Sequence, residues 1–158
     1  MKTFKEYLSK FNRKFVGITF TSESQKLLTE YAKSNGFDLS ENYNNEPIKT
    51  FEFHTTIFYT TSEHNITNGV FTLEPFEVSF DSFGLLGKEN NIPVIKLNVT
   101  NLVKIRNRFE NLGMKDEWPA FVPHITLSYN WDGTPKIKDL ELPKFKIIAE
   151  KITIEDQT

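Results

Sequence analysis

Two segments, Phe53-His54-Thr55-Thr56-Ile57 and Pro123-His124-Ile125-Thr126-Leu127, each carry a His-x-Thr triplet inside apolar, β-prone surroundings, and they hold two of the three histidines in the chain. In an extended strand successive side chains alternate faces, so His54 and Thr56 project together while Phe53, Thr55 and Ile57 point the other way. The same alternation puts His124, Thr126 and Ser128 on one face and Ile125, Leu127 and Tyr129 on the other. An imidazole beside a hydroxyl on one strand, met by the same pair from a second strand, suits a phosphodiester. Imidazoles titrate near neutrality and can move protons, and hydroxyls can donate to the non-bridging oxygens. With a ribose 2'-OH beside the scissile bond, one His would take its proton while the other protonates the departing 5'-oxygen, leaving a 2',3'-cyclic phosphate. Water would open that ring with the roles exchanged. The residues leave open which His is the base.

The elements that must position these triplets repeat. Phe15 to Phe20 reads as a strand. Ser22 followed by Glu23 to Lys33 reads as a helix, with Leu27, Leu28, Tyr31 and Ala32 on its apolar side and Asn35-Gly36 as its stop. The first triplet strand follows a polar loop, and Pro75 to Phe80 is a further β segment. In the second half, Pro93 to Val99 is a strand and Leu102 to Leu112 a helix ending at Gly113. The second triplet strand follows, then a β segment from Phe145 to Ile154. The order β-α-β-β occurs twice, with 70 residues between His54 and His124. Two such units related by a pseudo-two-fold would set the histidines face to face across a groove. The expectation is a single domain over 1–158 with lobes of roughly 14–88 and 89–156. Phe4, Leu8 and Phe11 at helical spacing predict an N-terminal helix capping the core.

Loops rich in polar residues, 38–49 and 115–119, precede the two triplets, where substrate selection commonly resides. Tyr43, Trp118 and Trp131 are the aromatic side chains placed to stack on bases, although aromatics at loop-strand junctions more often pack on a core. His64, in Ser62-Glu63-His64-Asn65, reads as an ordinary surface residue. Neither triplet brings a carboxylate at ligand spacing, so no metal is expected.

Composition narrows the partners. The 158 residues include 15 Phe and carry a net charge of -2, which argues against a protein that holds long nucleic acid by neutralising phosphates. A small nucleotide ligand remains open. With no cysteine there can be neither a disulfide nor a thiolate zinc site. The start, Met1-Lys2-Thr3-Phe4-Lys5-Glu6, has no continuous apolar run, and no stretch approaches a membrane span. A cytoplasmic protein without a membrane partner is expected; oligomeric state is not legible.

The paired motifs His54-Thr55-Thr56 and His124-Ile125-Thr126, with Pro123 before the second His and Leu127 after Thr126, resemble the two-histidine (2H) phosphoesterases, which include the RNA ligase-like cyclic phosphodiesterases. The resemblance spans about residues 14–156. It implies a bilobal α+β fold of antiparallel-rich sheets around a central groove, chemistry without a metal or other cofactor, His54 and His124 as acid and base, and Thr56 and Thr126 on the phosphate. Ile57-Phe58 departs from the Leu followed by a small or aromatic residue that many members carry. Within that superfamily, the small size, the opening residues and the Asn/Phe/Lys-rich composition are similar to phage anti-CBASS nucleases, which degrade the cyclic oligonucleotide signals of bacterial immunity. That likeness implies a small cyclic nucleotide substrate with its 3'-5' bonds cut, and the host cytoplasm as the place of action. Two alternatives stand beside it: a phosphodiesterase of RNA ends or nucleoside 2',3'-cyclic phosphates, and a non-catalytic module that sequesters the nucleotide.

Overall fold

A computed structural model describes residues 14–40, 42–43, 46–47, 52–60, 66–115 and 120–156. The strands are β1 (Lys14–Phe20), the two-residue pair β2 (Asn42–Tyr43) and β3 (Glu46–Pro47), β4 (His54–Thr60), β5 (Gly69–Val78), β6 (Phe80–Leu86), β7 (Ile92–Leu97), β8 (His124–Thr126) and β9 (Ile147–Asp156). Two α-helices join them, α1 (Ser22–Ser34) and α2 (Thr100–Asn111). The class is α+β, as expected. The N-terminal helix predicted around Phe4, Leu8 and Phe11 lies outside the described residues, as do His64 and Trp118.

Both helices follow from their apolar spacing. In α1, Ser24, Leu28 and Ala32 recur every fourth residue and are buried. Thr21 caps it, its hydroxyl accepting from the Ser24 N–H at 3.2 Å. Leu102, Ile105, Arg106 and Phe109 form the buried stripe of α2. Gly113, at φ +95°, supplies the left-handed backbone that turns the chain after the helix.

The strands form a four-stranded sheet in the order β4-β1-β9-β5 and a three-stranded sheet in the order β6-β7-β8, antiparallel throughout. This order interleaves the two β-α-β-β units expected from the sequence. The strand after the second triplet, β9, pairs with β1 and β5, while β6, before the expected boundary at 88, pairs with β7. The physical reason is burial. Val16, Ile18 and Phe20 of β1 are in the core, so β1 is an inner strand with a partner on each side, and β9 extends its apolar face with Ala149, Ile152 and Ile154.

β5 begins at Gly69, earlier than Pro75, and β6 was not anticipated. Pro75 sits where the β5 register shifts between Thr72 and Phe76, on an edge strand that tolerates proline. Asp81, Ser82 and Gly84 in β6 are residues whose types usually signal turns. One apolar core joins both sheets and both helices, with Ile18, Leu28, Ile57, Leu102, Ile125 and Ile147 all fully buried in it.

Phe53 and Ile125, at 1% and 0% exposure, occupy the core faces that strand alternation assigned them. Phe53→Ala and Ile125→Ala should each cost about 3 kcal/mol of unfolding free energy. Urea denaturation checks this; an unchanged midpoint would mean the strand faces are reversed.

Candidate active site

β4 is held at its start by α1. The Gln25 side chain imitates a strand neighbour for Phe53: its amide N–H donates to the Phe53 carbonyl at 2.7 Å, and its oxygen accepts from the Phe53 N–H at 2.9 Å. The next residue is His54. On the other side β1 completes the ladder, pairing Thr19 with His54 and Gly17 with Thr56. Phe53, Thr55 and Ile57 are buried, leaving His54 and Thr56 half-buried on the opposite face. At Gly17 a bulge shifts the register so that Phe58 pairs with Val16 on the core side and Tyr59 pairs with Phe15. Tyr59 and Phe15 thereby join Thr56 in one wall.

β8 presents His124 and Thr126 in the same manner, with Ile125 fully buried behind them. Its register is fixed by β7, where Lys96 faces His124 and Val94 faces Thr126. The expected alternation ends there. Ser128 does not share the face of His124: it is fully buried, donating to the Asp38 carbonyl at 2.6 Å and accepting from the Asn130 N–H at 3.1 Å, while Tyr129 is exposed. A buried hydroxyl needs a partner, and Ser128 finds two in the Asp38 carbonyl and the Asn130 N–H once the strand has ended.

The two imidazoles are tied alike. His124 Nδ1 lies 2.8 Å from the Val122 carbonyl and His54 Nδ1 lies 3.4 Å from that of Glu52, each two residues back. A carbonyl only accepts, so Nδ1 carries the proton and Nε2 is left for chemistry. Burial is the main cause that pulls the His124 pKa below its ordinary value, and charges on His54 and Lys96 add to it, against the Val122 hydrogen bond. A protonated His54 therefore favours a neutral His124. That is the asymmetry an acid and base pair requires.

β4 and β8 adjoin, and a cavity of about 600 Å³ opens beside them. Thr56 and His124 form its polar edge, and Phe15, Tyr59, Leu86 and Phe121 much of its apolar wall. His54 and Thr126 are not in that wall, but the Phe15 ring, which is, meets the His54 ring edge-on at a centroid distance of 5.7 Å. Arg106 closes the side toward α2. Its guanidinium carbon stands 4.8 Å from the Phe58 ring centroid and 4.7 Å from that of Phe121, and its Nε pairs with Glu110 at 3.3 Å. This cation clamps the strand of the first triplet to the segment leading into the second.

Trp131 lies away from the cavity, packed on the core with its indole N–H donating to the Pro135 carbonyl at 2.9 Å. Tyr43 is placed by its backbone in β2, its side chain outside the described residues. Sequence reasoning missed Gln25, Phe15, Tyr59 and Arg106. Of these only Phe15 had a signal, an aromatic two positions before a glycine in a strand. Among the described residues no three His, Asp or Glu side chains gather in a way that could hold a metal ion, and no helix is long and apolar enough to cross a membrane.

The middle threonine of the first triplet tests the geometry. Thr55 is fully buried and its hydroxyl has no hydrogen-bond partner among the described residues. Thr55→Val should hold stability or raise it by about 1 kcal/mol, because an unsatisfied buried hydroxyl is removed. Melting curves measure this. The His124 shift also has a sign. With its folded pKa below the ordinary 6.5, the unfolded chain binds the proton first as pH falls. Stability should be full above about pH 7 and drop as pH falls through 6.5 to the folded pKa; His124→Gln should flatten that part of the curve.

No curated protein sequence matches the chain. The family model described as anti-CBASS protein Acb1 matches residues 12–157, a span containing both triplets, every described strand and both helices. The chain belongs to the Acb1 family of anti-CBASS proteins.

Proposed function

We propose that the protein is a metal-independent phosphodiesterase of the two-histidine type that hydrolyses 3'-5' bonds in cyclic di- and oligonucleotide signals. Membership of the anti-CBASS family implies interaction with those signals. The observation that carries the hydrolytic reading is the matched pair of imidazoles, both with Nδ1 bound to the carbonyl two residues back and both next to a threonine on the same strand face.

In this reading His124 is the general base. Its depressed pKa keeps it neutral near pH 7, and its Nε2 is free of the Val122 hydrogen bond. His54, as imidazolium, protonates the leaving 5'-oxygen. Thr56 and Thr126 donate to the non-bridging oxygens, whose charge grows in the transition state; one such donor is commonly worth about 3 kcal/mol. The apolar cavity beside Thr56 and His124 has room for a nucleoside attached to the scissile phosphate. Its wall includes Phe15 and Tyr59, aromatic side chains of the kind that stack on bases.

Incubation with 3',3'-cyclic GMP-AMP and with cyclic tri-adenylate, in EDTA and followed by chromatography, tests the proposal. Linear products are expected in chelator. His54→Ala and His124→Ala should each reduce kcat by at least about 10²-fold, and the double variant should be little worse than the poorer single one, because the two act as a unit. The acid limb of log(kcat/KM) should lie below pH 6.5, set by His124. Intact ligand bound tightly by the wild type would select a sequestering module instead, and cleavage of nucleoside 2',3'-cyclic phosphates alone would select the RNA-end reading.

A further inference from the structure

Lys96 is a cation on the face that carries the site, and the reaction proposed above gives it no task. It lies on β7 directly across from His124, so the two side chains leave the sheet on the same side with Cβ atoms about 5 Å apart. Its stem is laid away from β8. A Cβ built at Gly84 of β6 would meet Lys96 Cε at 2.9 Å and Nζ at 3.6 Å, so the aliphatic chain crosses the gap that the glycine leaves and the ammonium rests over β6. Lys96 is half-buried and, among the described residues, forms no ion pair.

The order of groups across the site decides what this cation can reach. β4 with His54 and Thr56 adjoins β8 with His124 and Thr126; β7 with Lys96 follows, then β6 with Gly84. A phosphate held between the two triplets lies on one side of His124, and the ammonium lies on the other, displaced by one to two strand spacings of about 4.8 Å each. At that distance it does not share the scissile phosphate. It stands where a second anionic group of the same ligand would fall. Each phosphodiester carries one negative charge, and an ammonium without a carboxylate neighbour is a point-charge phosphate binder.

We propose that Lys96 binds a second phosphate of the substrate, one removed from the bond that is cut, and so selects ligands with at least two phosphodiesters over mononucleotides. The inference rests on the phosphodiesterase reading for its choice of ligand, and a binding experiment separates the two. In the His54→Ala background, where turnover is suppressed, the Kd of a 3',3'-cyclic dinucleotide and of a nucleoside 2',3'-cyclic phosphate is measured at several salt concentrations, with and without Lys96→Met.

Lys96→Met should weaken the dinucleotide by about tenfold or more and make its Kd less sensitive to salt, because one screened charge pair is lost. The mononucleotide should weaken by a clearly smaller factor, and Lys96→Arg, which keeps the charge, should restore most of the dinucleotide affinity. Equal weakening of both ligands, or none, would overturn the proposal, as would failure of the His54→Ala protein to bind either. A Lys96→Met protein whose only change is a higher acid limb in its pH profile would show that the lysine tunes His124 and touches no phosphate. If the wild type binds and never cleaves while these Kd values behave as expected, hydrolysis fails and the phosphate contact stands.

Discussion

Burial of one face of β4 and one face of β8 in a shared core is the constraint from which the site follows. Phe53, Thr55, Ile57, Ile125 and Leu127 are all at 1% exposure or less, and a strand that commits those side chains inward must turn their neighbours outward. A slip of one residue in either strand would bury an imidazole and expose an isoleucine. Packing energy thus holds the register of the two triplets, and the hydrogen bonds from Nδ1 to the Val122 and Glu52 carbonyls need only fix ring rotation. The fully buried Thr55 hydroxyl shows how strong the constraint is, since among the described residues the fold gives it no hydrogen-bond partner.

Glycine makes room on both sheets. At Gly17 the Phe15 ring lies where a Cβ would be, 2.4 Å from that position, and from there it meets His54. At Gly84 the Lys96 stem occupies the corresponding space beside β7. In each sheet, then, a strand neighbouring a triplet or its partner gives up a side chain so that an adjacent residue can lie flat along the site. One sheet uses the gap for a ring and the other for a cation, so the two walls differ chemically although the triplets match. A groove built this way offers an apolar surface near His54 and a positive charge beyond His124.

The triplets, their exposed faces and the helices were legible in the sequence because each depends on local periodicity. Leu28 and Ala32, or Ile105 and Phe109, report a helix wherever they occur, and Phe53 and Ile125 report a strand face. Strand pairing was not legible. β9 follows the second triplet in the chain but joins β1, because pairing is decided by which edge lacks a partner, and no local pattern records that. The bulge opposite Gly17 was equally hidden, and it is what exchanges Phe58 for Tyr59 in the cavity wall. Gln25 gave no signal because its task, a two-way bond to the Phe53 backbone, belongs to a contact 28 positions away.

The exchange of strands bears on how the two triplets stay together. Had each half formed its own sheet, the site would lie between two bodies joined by a linker. Instead the chain leaves the first sheet after β5, builds β6, β7 and β8, and returns to place β9 between β1 and β5. The second triplet is therefore bracketed in sequence by strands of the sheet that carries the first. Arg106 adds a direct tie, its guanidinium stacked between Phe58 of β4 and Phe121 just before β8. Separating the triplets would require pulling that charged group from between two rings and opening the core behind Ile57 and Ile125, both fully or almost fully buried. A strand that returns to the first sheet is how this fold keeps the two imidazoles at a fixed separation.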